Sequence, residues 1–225
     1  MDIQEFLQKE GLPSKLREYA ALLSQANEQA RLTGPSDPEV LYDDFILDAL
    51  HGLPYLPDRA AFVDVGTGGG LPGVVWGICR PDTKGLLLDS IGKKIALVQE
   101  MVRRLGCDNL STVNARSEDF ARRHRETFDV ATARAVAAAP ILAEYLTPLV
   151  RVGGRIVAFK GEKVRDELSV PRNAWRQLGL SPPQLEPYEI SGKKRYLVVW
   201  EKTKACGRKY PRRPGVAEKS PWYAA

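Results

Sequence analysis

Histidine and cysteine are scarce in this sequence. Its 225 residues include two histidines, His51 and His124, and three scattered cysteines, Cys79, Cys107 and Cys206. Two histidines are too few for a His-based metal site or catalytic triad, and an odd set of isolated cysteines forms neither a disulfide framework nor a zinc spacing. No metal is expected. No apolar run is long enough to span a bilayer. The segment MDIQEFLQKEGLPSKLREYA is charged throughout and lacks the apolar middle of a signal peptide, so a cytoplasmic protein with no membrane partner is expected. Repeats and low-complexity tracts are missing too.

The positive charge is unevenly placed. The net charge is +5, yet residues 202–225 hold seven Lys and Arg against a single acid, Glu218, and the preceding 201 residues sum to −1. This basic tail also carries Tyr210, Trp222 and Tyr223. Such a tail suits a polyanion, most simply nucleic acid, gripped by Arg208, Lys209, Arg212 and Arg213, with Tyr210 or Trp222 stacking on an unpaired base. A solvated end that binds nothing, or aromatics folded back onto the domain, are the plain alternatives. As an RNA-binding tail, it is expected to be removable from Lys204 onward without loss of cofactor affinity.

The first sixty residues read as helices, with Leu16, Tyr19, Leu23, Ala26 and Ala30 at helical spacing and a second helix over residues 39–50. Strands are expected at AAFVDV, KGLLLD, LSTVNA, FDVATA and, after a Gly-Gly turn, GGRIVAFKG, with helices between them, including APILAEYLTPLV. A helical segment over residues 165–178 precedes QLEPYEI and RYLVVWEK, a pair spaced as a hairpin. Strand and helix alternate five times before that hairpin. The class is therefore α/β, a mostly parallel twisted sheet with helices on both faces. The expected division is an N-terminal helical extension over 1–59, a core over 60–202 and the tail over 203–225.

The stretch FVDVGTGGGLPG holds five glycines in twelve residues and follows the first strand, where open α/β sheets bind ligands. Two patterns overlap in it. Gly68, Gly70 and Gly73 spell the dinucleotide pattern G-x-G-x-x-G. Asp64, Gly66, Gly68 and Gly70 spell D-x-G-x-G-x-G. A pyrophosphate wants free amides at a helix start and no nearby anion. A carboxylate at Asp64 suits instead a ligand with an ammonium group and no phosphate, such as S-adenosyl-L-methionine, with glycine letting the backbone approach it. Asp89, at the end of the second strand, can bind ribose hydroxyls in either cofactor.

The order DVGTGGGLPG, LLLDSIGKKIALVQEMVRRLG, ARSEDF, DVATARAVA and GGRIVAFKGE resembles the glucose-inhibited division protein B family, over about residues 60–202. That resemblance implies a Rossmann-like class I methyltransferase fold and an enzyme that methylates guanine N7 in 16S ribosomal RNA with S-adenosyl-L-methionine. Its partner would be the small ribosomal subunit, and the enzyme a monomer. By motif it implies cofactor contacts at Gly66, Leu71, Asp89, Ser117, Glu118 and Arg134, beside Asp64 and Gly68 from the reading of the loop itself. Arg134 and Lys160 would serve catalysis, and Arg116, Lys160 and Arg195 would face RNA. The chain departs from the family's usual His-Ile-Leu-Asp-Ser-Leu with Phe45 and Ala49 for His and Ser, while keeping Asp48. Arg31 stands for a usual Asn. The rival classes are a nicotinamide-dependent oxidoreductase and a non-catalytic RNA-binding assembly factor on the same fold.

Overall fold

The computed structural model describes residues 3–8 and 11–223. The apolar runs become β1 (Ala61–Val65), β2 (Lys84–Asp89), β3 (Leu110–Asn114), β4 (Phe128–Arg134), β5 (Val150–Lys160), β6 (Gln184–Ile190) and β7 (Lys193–Glu201). They form one sheet in the order β3-β2-β1-β4-β5-β7-β6. The first five are parallel, and β7 runs antiparallel between β5 and β6. Both residues of the hairpin turn, Ser191 and Gly192, have positive φ, which matches the twist of the strands it joins.

Two apolar clusters cover the two faces, which is why these strands read as continuous rather than alternating apolar runs. On one side Leu16, Tyr19 and Leu23 of the Leu12–Gln29 helix pack with Trp76 and Val98. On the other Leu142, Leu146 and Trp175 pack with Val63 and Ile156. The N-terminal helices thus share a core with the sheet. Strand order reverses between β1 and β4, so the loops after these two strands part and leave a crevice at their carboxyl ends.

Several local expectations are corrected. The helix over 39–50 is not regular: a π turn at Tyr42–Ile46 separates α-helical Pro38–Leu41 from Leu47–Leu50. The helix at APILAEYLTPLV stops at Leu146, and Val150 already pairs with Phe128. The Gly153-Gly154 pair lies inside β5 at a register shift, where a Cβ on Gly154 would meet the Asp129 carbonyl at 2.5 Å. The segment 165–178 splits into Val164–Glu167 and a 3₁₀ turn, Ala174–Leu178, because Pro171 biases the residue before it away from helix.

The tail is corrected most. Tyr210 and Trp222 are buried in the second cluster with Cys206. The Trp222 ring lies 5.3 Å from that of Trp175, and its indole N–H donates to the Pro140 carbonyl at 2.9 Å. Arg125 donates to the carbonyls of Tyr210 and Cys206. Aromatic area of this size stabilises more as core than as an exposed stacking platform, so neither ring is free to meet a base.

Candidate active site

Three cavities run in series along the carboxyl ends of the parallel strands. The first, about 400 Å³, lies between the ends of β1, β2 and β3 and is lined by Gly66, Asp89, Ser117 and Glu118. The second, about 580 Å³, lies over the glycine loop and includes Arg31, Gly68, Leu71, Lys94 and Arg134. The third, about 790 Å³, lies beside β4 and β5 and includes Asp48, Lys160, Tyr188 and Arg195. Gly66 and Asp89 line both the first and the second. Phe45, Arg134 and Ala135 line both the second and the third.

The glycines are required partly by the protein itself. A Cβ on Gly69 would lie 2.6 Å from Leu23, and one on Gly68 3.3 Å from the Leu32 carbonyl. On Gly66, where φ is +68°, it would lie 2.5 Å from Val136. The loop over residues 31–36 that presses on these glycines is held by Asn27. Its side chain accepts from the Leu32 and Thr33 amides and donates to Pro35 and Ser36.

Asp64 does not line any of the three cavities. It is fully buried beneath the loop and accepts from the Thr67 hydroxyl at 2.6 Å and the Gly73 amide at 2.9 Å. This corrects the expected direct contact with an ammonium group. It also disfavours a pyrophosphate, because the amide that opens the Gly73–Cys79 helix is already bonded to an internal carboxylate. Burial pushes the Asp64 carboxyl up to about 7, against the two hydrogen bonds. Between about pH 4 and 7 the unfolded chain has lost this proton while the folded chain keeps it. Stability therefore falls as pH rises through that window. Urea unfolding at pH 5 and pH 8 is expected to show a drop on the order of 3 kcal/mol that Asp64→Asn largely removes. Equal drops in both proteins would refute this role.

Asp89 is set by the turn after β2. Its Oδ2 accepts from the Gly68 amide and its Oδ1 from the Ile91 amide, each at 3.0 Å. One carboxylate thus ties the glycine loop to β2 and still borders two cavities. Glu118 is buried and accepts from the Ser117 hydroxyl at 3.0 Å. The far wall of the first cavity was not foreseen: Pro214, Gly215 and Glu218 of the tail form it, with Tyr145. The Tyr145 hydroxyl donates to Glu218, and burial followed by the Glu118 and Glu218 charges holds it well above the usual phenol range.

At the junction of the second and third cavities, Arg134 stacks over the Phe45 ring at 4.4 Å from its centroid. It donates to the carbonyl of Phe45, a residue of the π turn, at 3.1 Å, and lies 3.2 Å from Asp48. Asp48 in turn accepts from the Tyr188 hydroxyl at 2.7 Å. Burial first, then Asp48, keeps Tyr188 protonated.

A family model described as rRNA small subunit methyltransferase G (GidB) matches residues 13–195. The chain belongs to this family. It is 41% identical to the ribosomal RNA small subunit methyltransferase G of Rubrobacter xylanophilus, covering 92% of this chain and 83% of that one. To that of Carboxydothermus hydrogenoformans it is 38% identical, over 96% and 93%. Among solved structures it is similar in fold to the O-methyltransferase TomG of Streptomyces achromogenes in complex with SAM (TM-score 0.56, 15% identity, 88% and 92% of the two chains). It is also similar to a methyltransferase from Geobacter sulfurreducens (TM-score 0.58, 11% identity, 81% and 89%). The fold is that of the class I methyltransferases, and membership makes the protein a methyltransferase of small-subunit ribosomal RNA.

The basic residues of the site have distinct surroundings. Lys160 is balanced: its ammonium lies 2.7 Å from Glu167 and donates to the Ala137 carbonyl at 2.8 Å. Since Glu167 also accepts from the Ala139 amide, Lys160 and Glu167 together pin the loop after β4. Arg195 borders the third cavity, whereas Arg116 is exposed at the rim of the first. Arg208, Lys209 and Arg213 are exposed. Arg212 is not available as expected: its guanidinium forms a bidentate pair with buried Glu144, at 2.7 and 2.6 Å. Among the described residues no cluster of three or more His, Cys, Asp or Glu can hold a metal ion, and no helix is long and apolar enough to cross a membrane.

Proposed function

We propose that the protein transfers a methyl group from S-adenosyl-L-methionine to N7 of a guanine in 16S ribosomal RNA. The observation that carries this reading is the series of three cavities and the residues they share. An adenosine fits the first, with Asp89 accepting from ribose hydroxyls and Ser117 and Glu118 beside the adenine. An amino-acid tail fits the second, where Arg31 and Lys94 offer cations to its carboxylate. A nucleotide fits the third, with Phe159 and Tyr188 as apolar walls and Arg195 and Lys163 for phosphates. The shared residues Phe45, Arg134 and Ala135 then mark the point of transfer.

When bound, S-adenosyl-L-methionine supplies an electrophilic methyl on a positively charged sulfur. Guanine N7 has an in-plane lone pair and no proton, so no side chain must act as general base. The chain's residues position: Asp89 and the glycine loop fix one partner, and the Arg134 and Lys160 loops frame the other. Positioning of this kind can supply roughly 7–11 kcal/mol of the barrier. The ribosomal RNA substrate supports a cytoplasmic enzyme. Asp64 bonded to the Gly73 amide weighs against a nicotinamide cofactor.

The test is transfer of labelled methyl to small-subunit particles and to naked 16S RNA, with the labelled nucleoside identified. Label in 7-methylguanosine is the expected result. Label in another nucleoside would refute the target atom only, and no transfer to either substrate would favour a non-catalytic assembly factor.

A further inference from the structure

We propose that Asp48 is a positioning residue that fixes Arg134 at the junction and cancels its charge there, so that the site favours a cationic methyl donor over its neutral product. This rests on the cofactor reading above. The Asp48 side chain is only 3% exposed, and both of its oxygens are engaged, Oδ2 by Arg134 and Oδ1 by the Tyr188 hydroxyl. Arg134 is held on three sides: by Asp48, by the Phe45 carbonyl and by the face of the Phe45 ring. The nearby Lys160 and Lys193 have their own acids, Glu167 and Asp44. Arg195 borders the same cavity and buried Asp64 also interacts with the Arg134 charge, but Asp48 is the acid at ion-pair distance from Arg134.

The need for that balance follows from the reaction. The guanine N7 lone pair forms the new N–C bond while the S–C bond breaks and its electrons stay on sulfur. No proton leaves. One positive charge is present throughout, first on sulfur and at the end on the methylated guanine ring. An uncompensated guanidinium beside this path would oppose both the bound donor and the product base, and in a partly buried site that opposition is strong. Tyr188 holds the Asp48 carboxylate from its other side, so the acid cannot swing away from Arg134.

The test compares affinities for S-adenosylmethionine, which is charged at sulfur, and S-adenosylhomocysteine, which is not, by calorimetry on the full chain. Asp48→Asn is expected to lower the ratio of the two affinities about tenfold, mostly through weaker S-adenosylmethionine binding. Arg134→Gln is expected to raise the ratio, and the double variant to bring it back near the wild-type value. A purely structural role would weaken both ligands equally, and that result, or an unchanged ratio in folded Asp48→Asn, overturns the proposal. If Asp48→Asn does not fold, the absence of a rise in Arg134→Gln overturns it instead. A wild-type chain that binds neither ligand removes the cofactor reading and this inference with it.

Discussion

Replacing Arg212 by Ala is expected to destabilise the protein by ~3–5 kcal/mol, the usual consequence of stranding a buried carboxylate. Glu144 is 1% exposed and receives the Arg212 guanidinium on both of its oxygens. The same change is expected to weaken S-adenosylhomocysteine binding roughly tenfold. The reason is mechanical. Arg212 lies two residues before Pro214, which with Gly215 and Glu218 walls the first cavity, so freeing the latch loosens the wall. The neighbouring change, Arg213→Ala, is the control. Arg213 is exposed, and its loss should move stability by no more than about 0.5 kcal/mol. If it touches RNA, its removal should flatten the salt dependence of RNA affinity by about 0.7 per phosphate contact on a single strand. Urea unfolding and calorimetry on both variants decide the matter. An Arg212→Ala protein that unfolds with the wild type and keeps its ligand affinity would show that the tail is not a latch. Truncation from Lys204 onward is now expected to cost ligand affinity as well as RNA binding, contrary to the expectation from composition.

Asp89→Ala is expected to abolish measurable cofactor binding, with a loss of at least about 100-fold. Two kinds of interaction disappear together. The carboxylate holds the Gly68 and Ile91 amides, so the glycine loop loses its tie to β2. It also borders the cavities assigned to the adenosine and the amino-acid tail, where each charge-assisted bond to a ribose hydroxyl is worth about 1.5–3 kcal/mol. Adenosine and S-adenosylhomocysteine should both be lost, since the defect lies at the ribose. A calorimetric affinity within about threefold of the wild type would contradict this account.

The sheet was legible because its strands are short apolar runs between glycine and charged residues, and because β1 to β5 alternate with helices. Asp89 stood out as the acid that ends the second strand, whereas Ser117 and Glu118 came only from the family resemblance; all three line the first cavity. Asp64 was seen as chemically unusual, but its side chain points under the loop, and a strand's alternation does not reveal which end of a ligand it would meet. Asp48 was noticed only as a retained member of a motif. Its partners, Arg134 and Tyr188, lie far along the chain, and no local pattern links them. Arg212 and Arg213 are adjacent and chemically identical, yet one is latched and the other free. Net charge could not separate them. The apolar residues of the tail, Cys206, Tyr210, Ala217 and Trp222, were the available sign that it docks.

The two ends of the chain press on the same site from opposite sides, the 31–36 loop on the glycines and residues 214–218 on the first cavity. A growing polypeptide leaves the ribosome from its N-terminus, so the brace on the glycines is made early and the opposite wall last. Until Trp222 has emerged, Trp175 has the Trp200 ring beside it but not that of Trp222, and the wall that residues 214–218 give the first cavity is missing. A chain cut short of Cys206 is expected to leave the part of the second apolar cluster that Cys206, Tyr210 and Trp222 cover exposed, which limited proteolysis against the full chain would show.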